Sequence, residues 1–461
     1  MRMRSLLLLM SALAASSASA QRFTLEEAVR RAVTTNPAVG ESTANRRATD
    51  QELKQAQGAL LPQVRLQADI GPESLRQYQS PLASQRSGDF KAGRQAGLVV
   101  RQLVFDGFST VNETWRHAYR VDAASWRVKE RVELVALDAV QAYTDILRLQ
   151  DMIAQSNRNI GVHRALLSSV SARVTGGRAG RGDEDQVRER VLAAEAARAE
   201  LQMRLGEAVA MFRRAVDREP KGLMWPGRAP GLPASRQAAL DAAIHNNATL
   251  RAADSDTRAA EAQREAAKGS NLPTVALEGR AAAGKNSQNI AGRYDEYSAK
   301  LSANWTLYSG GTDTARQNEL AERLGEQQMR LSLLRRQAIE SIDKAWTTRA
   351  ALSDRIRALS GQVQAAEQVV SAYRSEYELD KRSLLDLLNA EQIRYNAAVG
   401  LINAKGLAIF ADYQLLAASG TLLSAMRVGL PGEAANSMRN LKENGALIPP
   451  LDFAPGLQNN R

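Results

Sequence analysis

At 461 residues the chain is long enough for two or three ordinary domains, but only 5 % of it is aromatic and much of its 44 % apolar content is Ala, which suits narrow helix–helix seams better than a thick core. The absence of Cys excludes disulfides, thiolate metal sites, a Cys nucleophile and acylation through an N-terminal Cys. A formal net charge of +11 permits contact with anionic lipid or nucleic acid but requires neither.

The first 20 residues read as a signal peptide: basic Arg2 and Arg4, an apolar run from Ser5 to Ala14, and small residues Ala18-Ser19-Ala20 at the cleavage site. The chain is therefore expected to be exported. No later stretch has the apolar length of a transmembrane helix. A first repeat is expected over 21–216, opening with a capping box at Thr24-Leu-Glu-Glu27 and an amphipathic helix, then a second helical run ending at Pro62.

After Pro62 the period changes to two. Val64, Leu66, Ala68 and Ile70 alternate with Gln63, Arg65, Gln67 and Asp69, a two-faced strand. A polar loop over Gly71–Gly93 leads to a second strand near Gln95–Phe105, closing a hairpin over 62–105. Then comes a rod. Val128, Val132, Val135, Ala139, Ala142, Ile146, Leu149 and Ile153 keep a 4-3-4-3 spacing, the seam of a left-handed coiled coil, with Ser156 and His163 as weak points further on. A helix from about Thr110 to Val174 would be ~100 Å long. It stops at the Gly-rich turn Gly176–Gly182, where Asp183 is expected to cap a return helix with a seam through Val187, Val191 and Phe212.

A Pro/Gly linker, 217–234, precedes a second repeat over 235–426. Leu61-Pro62 recurs as Leu272-Pro273 at an offset of 211, while Phe105-Asp-Gly107 recurs as Tyr308-Ser-Gly310, and Asp183 as Asp386, at 203. The second hairpin spans 273–308, with a strand alternating from Tyr297 to Leu307. The chain is an internal duplication. Residues 427–461 lack periodicity and are expected to form a flexible or surface-wrapped C-terminal extension.

Strands of this length suit an outer membrane, yet four cannot close a barrel. The expected fold is an α+β membrane protein: a homotrimeric 12-stranded β-barrel, four strands per chain, continued by a long periplasmic α-helical coiled-coil tunnel. Phe105, Phe108, Trp305 and Tyr308 are expected in the aromatic girdle of the barrel.

From about Phe23 to Leu423 the order, duplication and spacing of these elements resemble the TolC-type outer-membrane channel-tunnel family. The resemblance implies a homotrimer in the outer membrane of a Gram-negative bacterium, its helices in the periplasm. It also implies docking to a periplasmic adaptor (membrane fusion) protein and an inner-membrane ABC or proton-driven transporter. By the same resemblance Tyr377, Arg382, Asp386, Asn389 and Asp183 form a periplasmic gate, with Asp183 accepting from Arg382 and Asp386 in an acidic ring. Asn389 stands where the family often has a second Asp. Gly177, Arg178, Arg181, Asp380 and Lys381 would be adaptor-docking tips.

The implied function is a passive exit duct for type I secreted proteins or small toxic compounds. Leu103–Gly107 and Ala136–Tyr143 look most like secretion-associated members, which favours protein cargo over multidrug efflux. The rival of another class is a periplasmic coiled-coil scaffold without a pore. The chain is not expected to be an enzyme, to be lipidated or to carry a cofactor or metal. Gly279–Asn286 departs from a phosphate-binding loop at Asn286, and His117, His163 and His245 have no metal-ligand spacing. The Gly/Arg turn lacks the interleaved aromatics of a nucleic-acid tract, so no nucleic-acid partner is expected.

Overall fold

A computed structural model describes residues 22–74, 90–287 and 292–434. The signal peptide, most of the first hairpin loop and the extension beyond 434 lie outside them.

Alternation and helical periodicity sort the chain into two layers. Strands β1 (Gln63–Glu73), β2 (Lys91–Phe105), β3 (Thr274–Lys285) and β4 (Arg293–Asn304) form one antiparallel sheet in the order β1-β2-β3-β4. Below it stand α1 (Leu25–Thr35), α2 (Pro37–Gly58), α3 (Ser109–Thr175), α4 (Arg181–Val216), α5 (Arg236–Asn246), α6 (Ala248–Ala267), α7 (Thr312–Glu378), α8 (Leu384–Ala418) and the short α9 (Leu422–Ala425). Both long helices, α3 and α7, have 67 residues, a length of ~100 Å.

The register gives the sheet two chemically distinct faces. Leu66 pairs with Leu98, Leu98 with Ala281 and Ala281 with Tyr297; the neighbouring row is Val64, Val100, Gly279 and Ala299. These apolar side chains are uncovered: Leu66 is 73 % and Tyr297 82 % exposed. The opposite face carries Gln63, Arg101, Glu278 and Lys300 in one row, with opposite charges side by side. Arg101 meets Glu278 at 3.5 Å, and Arg280 meets Glu296 at 3.3 Å. The Gly279–Asn286 run is strand through Lys285, so its glycines make no phosphate-cradling loop.

The helices repeat the lateral order of the strands. Near the sheet α3 packs between α2 and α6, and α6 against α7; towards the far end α3 packs between α4 and α8, and α8 against α7. This explains a difference between the two rods. The expected α3 seam is buried from Val128 to Leu149, and a second row, Ala136, Val140, Tyr143 and Leu147, is buried as well. α7 has neighbours on one flank and leaves Met329, Leu333 and Ile339 exposed.

Midway along the rods α1 closes a collar over α3. The buried Tyr143 hydroxyl lies 2.8 Å from the carbonyls of Phe23 and Met224 and accepts from the Met224 N–H at 2.9 Å. One side chain thus pins both the start of the first repeat and the inter-repeat linker to the rod.

Three expectations need correction. β4 ends at Asn304, not Leu307, because the chain turns into Gly310 and Gly311, both at positive φ, to enter α7. Trp305 and Tyr308 therefore lie beyond the strand, and Trp305 Nε1 donates to the Asn271 carbonyl at 3.2 Å. Asp183 does not cap α4; the N-cap is Gly180, and Asp183 lies in the first turn. The extension is surface-wrapped rather than flexible over its described start: Val428 is buried and Arg47 donates to Glu433 at 2.6 Å.

Candidate functional site

The ends of the two helical hairpins are built alike. After α3, Gly177 takes φ 71°, its N–H donates to the Val174 carbonyl, and the Arg178 N–H donates to the Arg173 carbonyl. After α7, Asp380 takes φ 54°, its N–H donates to Tyr377 and that of Lys381 to Glu376. Both are Schellman closures, which favour Gly at the left-handed position. Asp380 occupies that position in the second hairpin, which points to a role for its side chain.

That role is a bridge between the hairpins. Arg173, in the last turn of α3, donates from Nη1 to Asp380 Oδ1 at 2.7 Å. Its guanidinium also lies 4.7 Å from the centre of the Tyr377 ring, a cation–π contact. Beneath the bridge Tyr377, Leu384, Leu387 and Leu388 pack with Val170 and Val187, so an apolar knot joins the two tips. Burial pushes the Tyr377 phenol above its usual range, with the Arg173 charge pulling it back and Asp183 raising it further. Tyr377 thus sits in the field of Asp183.

Arg382 points elsewhere. Its Nε donates to Glu376 Oε2 at 2.8 Å, its guanidinium stacks 4.1 Å from the Tyr373 ring centre, and Nη1 is 3.9 Å from Asp386 Oδ2. Within one chain it is held by its own hairpin, and the expected Arg382–Asp183 bond is replaced by the Glu376 bond. Asp386 and Asn389 lie on the first turns of α8, where Ser383 caps the helix by accepting from the Asp386 N–H at 3.1 Å. Asn389 is exposed, as are Gly177, Arg178, Arg181, Asp380 and Lys381 on the tips.

Sequence reading missed Arg173, Glu376 and Tyr373. Arg173 carried one signal, a basic residue in the last helical turn, which equally serves the helix dipole. Further up the rods lies a polar layer that accounts for the weak points of the seam. Glu391, buried between hairpins, accepts from Arg394 Nε at 2.9 Å and also pairs with Arg374. His163 is buried beside it, its pKa lowered by loss of solvent, and neither ring nitrogen has a hydrogen-bond partner among the described residues.

At the sheet end, Phe105 and Phe108 meet edge to face at 5.5 Å where β2 passes into α3. Phe108 adopts φ 64° there, while Asp106 Oδ2 accepts from the Thr110 N–H at 2.8 Å and satisfies the start of the rod. Trp305 and Tyr308, which follow β4, are both exposed. No group of residues suited to hold a metal occurs among the described residues.

A sequence model of the family described as outer membrane efflux protein matches residues 239–421. The outer membrane efflux protein BepC of Brucella suis is 25 % identical over 415 residues, covering 88 % of this chain and 87 % of that protein. The alkaline protease secretion protein AprF of Pseudomonas aeruginosa is 26 % identical over 363 residues, covering 75 % and 74 %. Among solved structures, the outer-membrane channel CmeC of Campylobacter jejuni superposes with a TM-score of 0.78 at 13 % identity, covering 92 % of this chain and 90 % of CmeC. The outer membrane protein VceC of Vibrio cholerae superposes at 0.74 with 18 % identity, covering 86 % and 96 %. Residues 239–421 thus match the outer membrane efflux protein family, and over most of its length the chain is similar in sequence and fold to TolC-type outer-membrane channels.

Proposed function

We propose that three copies of this chain close a duct through the outer membrane, and that the duct carries cargo passively from an inner-membrane transporter and its periplasmic adaptor to the exterior. One observation carries this reading: the sheet and the helical wall are open at the same two lateral edges. Among the described residues β1 and β4 are unpaired on their outer sides, and the helical wall likewise ends at α2 and α4 on one flank and at α7 on the other. An open strand edge and a bare helix face call for a partner. A second copy meets both at once, and three copies of four strands give a barrel of twelve, within the size range of membrane barrels. The apolar face then meets lipid and the polar face lines the lumen.

The bridged hairpin tips serve as the periplasmic gate in this assembly, with Asp386 side chains gathered near the threefold axis. Gathered carboxylates repel one another and attract cations in a narrow pore. AprF and PrtF are named as protease secretion proteins and BepC as an efflux protein. Protein secretion is the cargo class we favour for this chain, on the strength of Leu103–Gly107 and Ala136–Tyr143. Fractionation combined with planar-bilayer recording tests the duct. Heat-modifiable oligomers in the outer membrane with discrete conductance support it, whereas a soluble periplasmic pool without conductance would favour a scaffold.

A further inference from the structure

On the apolar face of the sheet, the row farthest from the helices breaks the pattern. Arg94 pairs with Lys285, and Lys285 with Arg293, so three cations stand side by side on adjacent strands. Arg94 also pairs with Ile70, which is 82 % exposed and belongs to the apolar face. Neighbouring strands are about 4.8 Å apart, and like charges directly opposite one another destabilise a sheet.

The arrangement lacks an internal counterion. All three side chains are exposed, and none forms an ion pair or hydrogen bond with another described residue. Asp295, one row nearer the apolar band and paired with Ala283, forms no ion pair with any of them. On the lumen face, by contrast, Arg101 has Glu278 and Arg280 has Glu296. The outward row is thus three adjacent cations with no carboxylate partner among the described residues, a surface suited to an anionic group.

Its height identifies the anion. Val275 lies opposite Phe105 at the base of the sheet, and Lys285 is ten residues further along β3. At ~3.3 Å per residue and a tilt near 40°, that is about 25 Å, the height of the apolar band of an outer-membrane barrel. The row therefore stands at the outer lipid interface, on the side away from the periplasmic helices and continuous with the lipid-facing band.

We infer that Arg94, Lys285 and Arg293 form a phosphate-binding site for the phosphorylated glycolipid of the outer leaflet, one site per protomer. This rests on the duct reading, which sets the sheet in the outer membrane. Arginine supplies planar paired donors to phosphate and Lys285 adds a point charge between them. Such a belt would fix the depth of the barrel and exclude lipids without phosphate.

The test uses detergent-solubilised oligomers of the full chain in native mass spectrometry. They are titrated with bisphosphorylated lipid A, its dephosphorylated form, phosphatidylglycerol and inorganic phosphate. The bisphosphorylated form should be retained at least about tenfold better than the dephosphorylated form, and the triple variant R94Q/K285Q/R293Q should lose that preference. The charge-keeping variant R94K/R293K should retain most of it, which controls for damage to the strands. Equal retention by wild type and triple variant would overturn the site. Displacement by inorganic phosphate at matched concentration, or equal retention of phosphatidylglycerol, would overturn its assignment to the glycolipid. Conductance separates the two readings: variants that still conduct but lose the preference bear on this site alone, whereas a wild type that forms no pore bears on the duct.

Discussion

Arg173, the last charged residue of α3, spans the gap between hairpins to Asp380, the residue that turns α7 into α8, at 2.7 Å. The bond joins the two tips of one chain, and 207 residues of sequence separate its ends. Asp380 is 79 % exposed, so the ion pair alone contributes at most about 1 kcal/mol. The stacking of Arg173 on Tyr377 and the apolar knot below supply the remainder.

This hierarchy makes a graded prediction. Arg173→Gln removes the bridge and the stacking together and should raise closed-state conductance in planar bilayers clearly. Asp380→Asn removes only the exposed pair and should raise it less. Equal conductance of both variants and wild type would mean that the bridge does not hold the tips.

The two Schellman turns differ in ways that can be exploited. Gly177 takes a left-handed conformation with open space around its α-carbon, so Gly177→Ala should cost about 1 kcal/mol through the backbone alone. Gly180, extended and equally uncrowded, is the N-cap of α4 and has no capping side chain, whereas its counterpart Ser383 caps α8. Gly180→Ser should protect the first turn of α4 by a few tenths of a kcal/mol. Hydrogen exchange at the α3–α4 tip reads these opposite effects.

Glu133 gives the rods a pH dependence. It is buried in α3, and loss of solvent raises its pKa from 4.5 to about 7, with Lys129 opposing and Glu130 reinforcing the shift. A carboxyl raised on folding takes up protons in the native state, so its stabilising contribution is full below pH 4.5 and is lost as pH rises through 7. Glu133→Gln should therefore stabilise the protein above pH 7, by an amount on the order of 3 kcal/mol, and make little difference below pH 4.5. Thermal melts at the two pH values check the sign.

Tyr143→Phe should release the collar while leaving the rod intact. It removes the acceptor of the partly buried Met224 N–H, a loss of about 1 kcal/mol. Limited proteolysis should then cut the linker near Pro220–Pro233 faster than in wild type, with helix content unchanged.

What could be read from sequence were the periodic elements. Alternation at Val64–Ile70 marked both sheet faces, and the 203-residue offset that pairs Asp183 with Asp386 also relates Gly177 to Asp380 and Gly180 to Ser383 in the structure. The heptad reading showed one seam of α3 because a seam records one partner, and α3 has several. Arg173 was not legible because its partners are distant in sequence and its local pattern resembles an ordinary helix end. Arg382 was expected on Asp183 by resemblance, but Glu376, six residues back on its own hairpin, takes it within one chain.

The central claim is that chains pair edge to edge to close the duct. Native mass spectrometry of the protein extracted from outer membranes tests it most directly. The expected species contains three protomers, dissociated only by conditions that also abolish conductance. A folded monomer or dimer as the membrane-extracted species would contradict it.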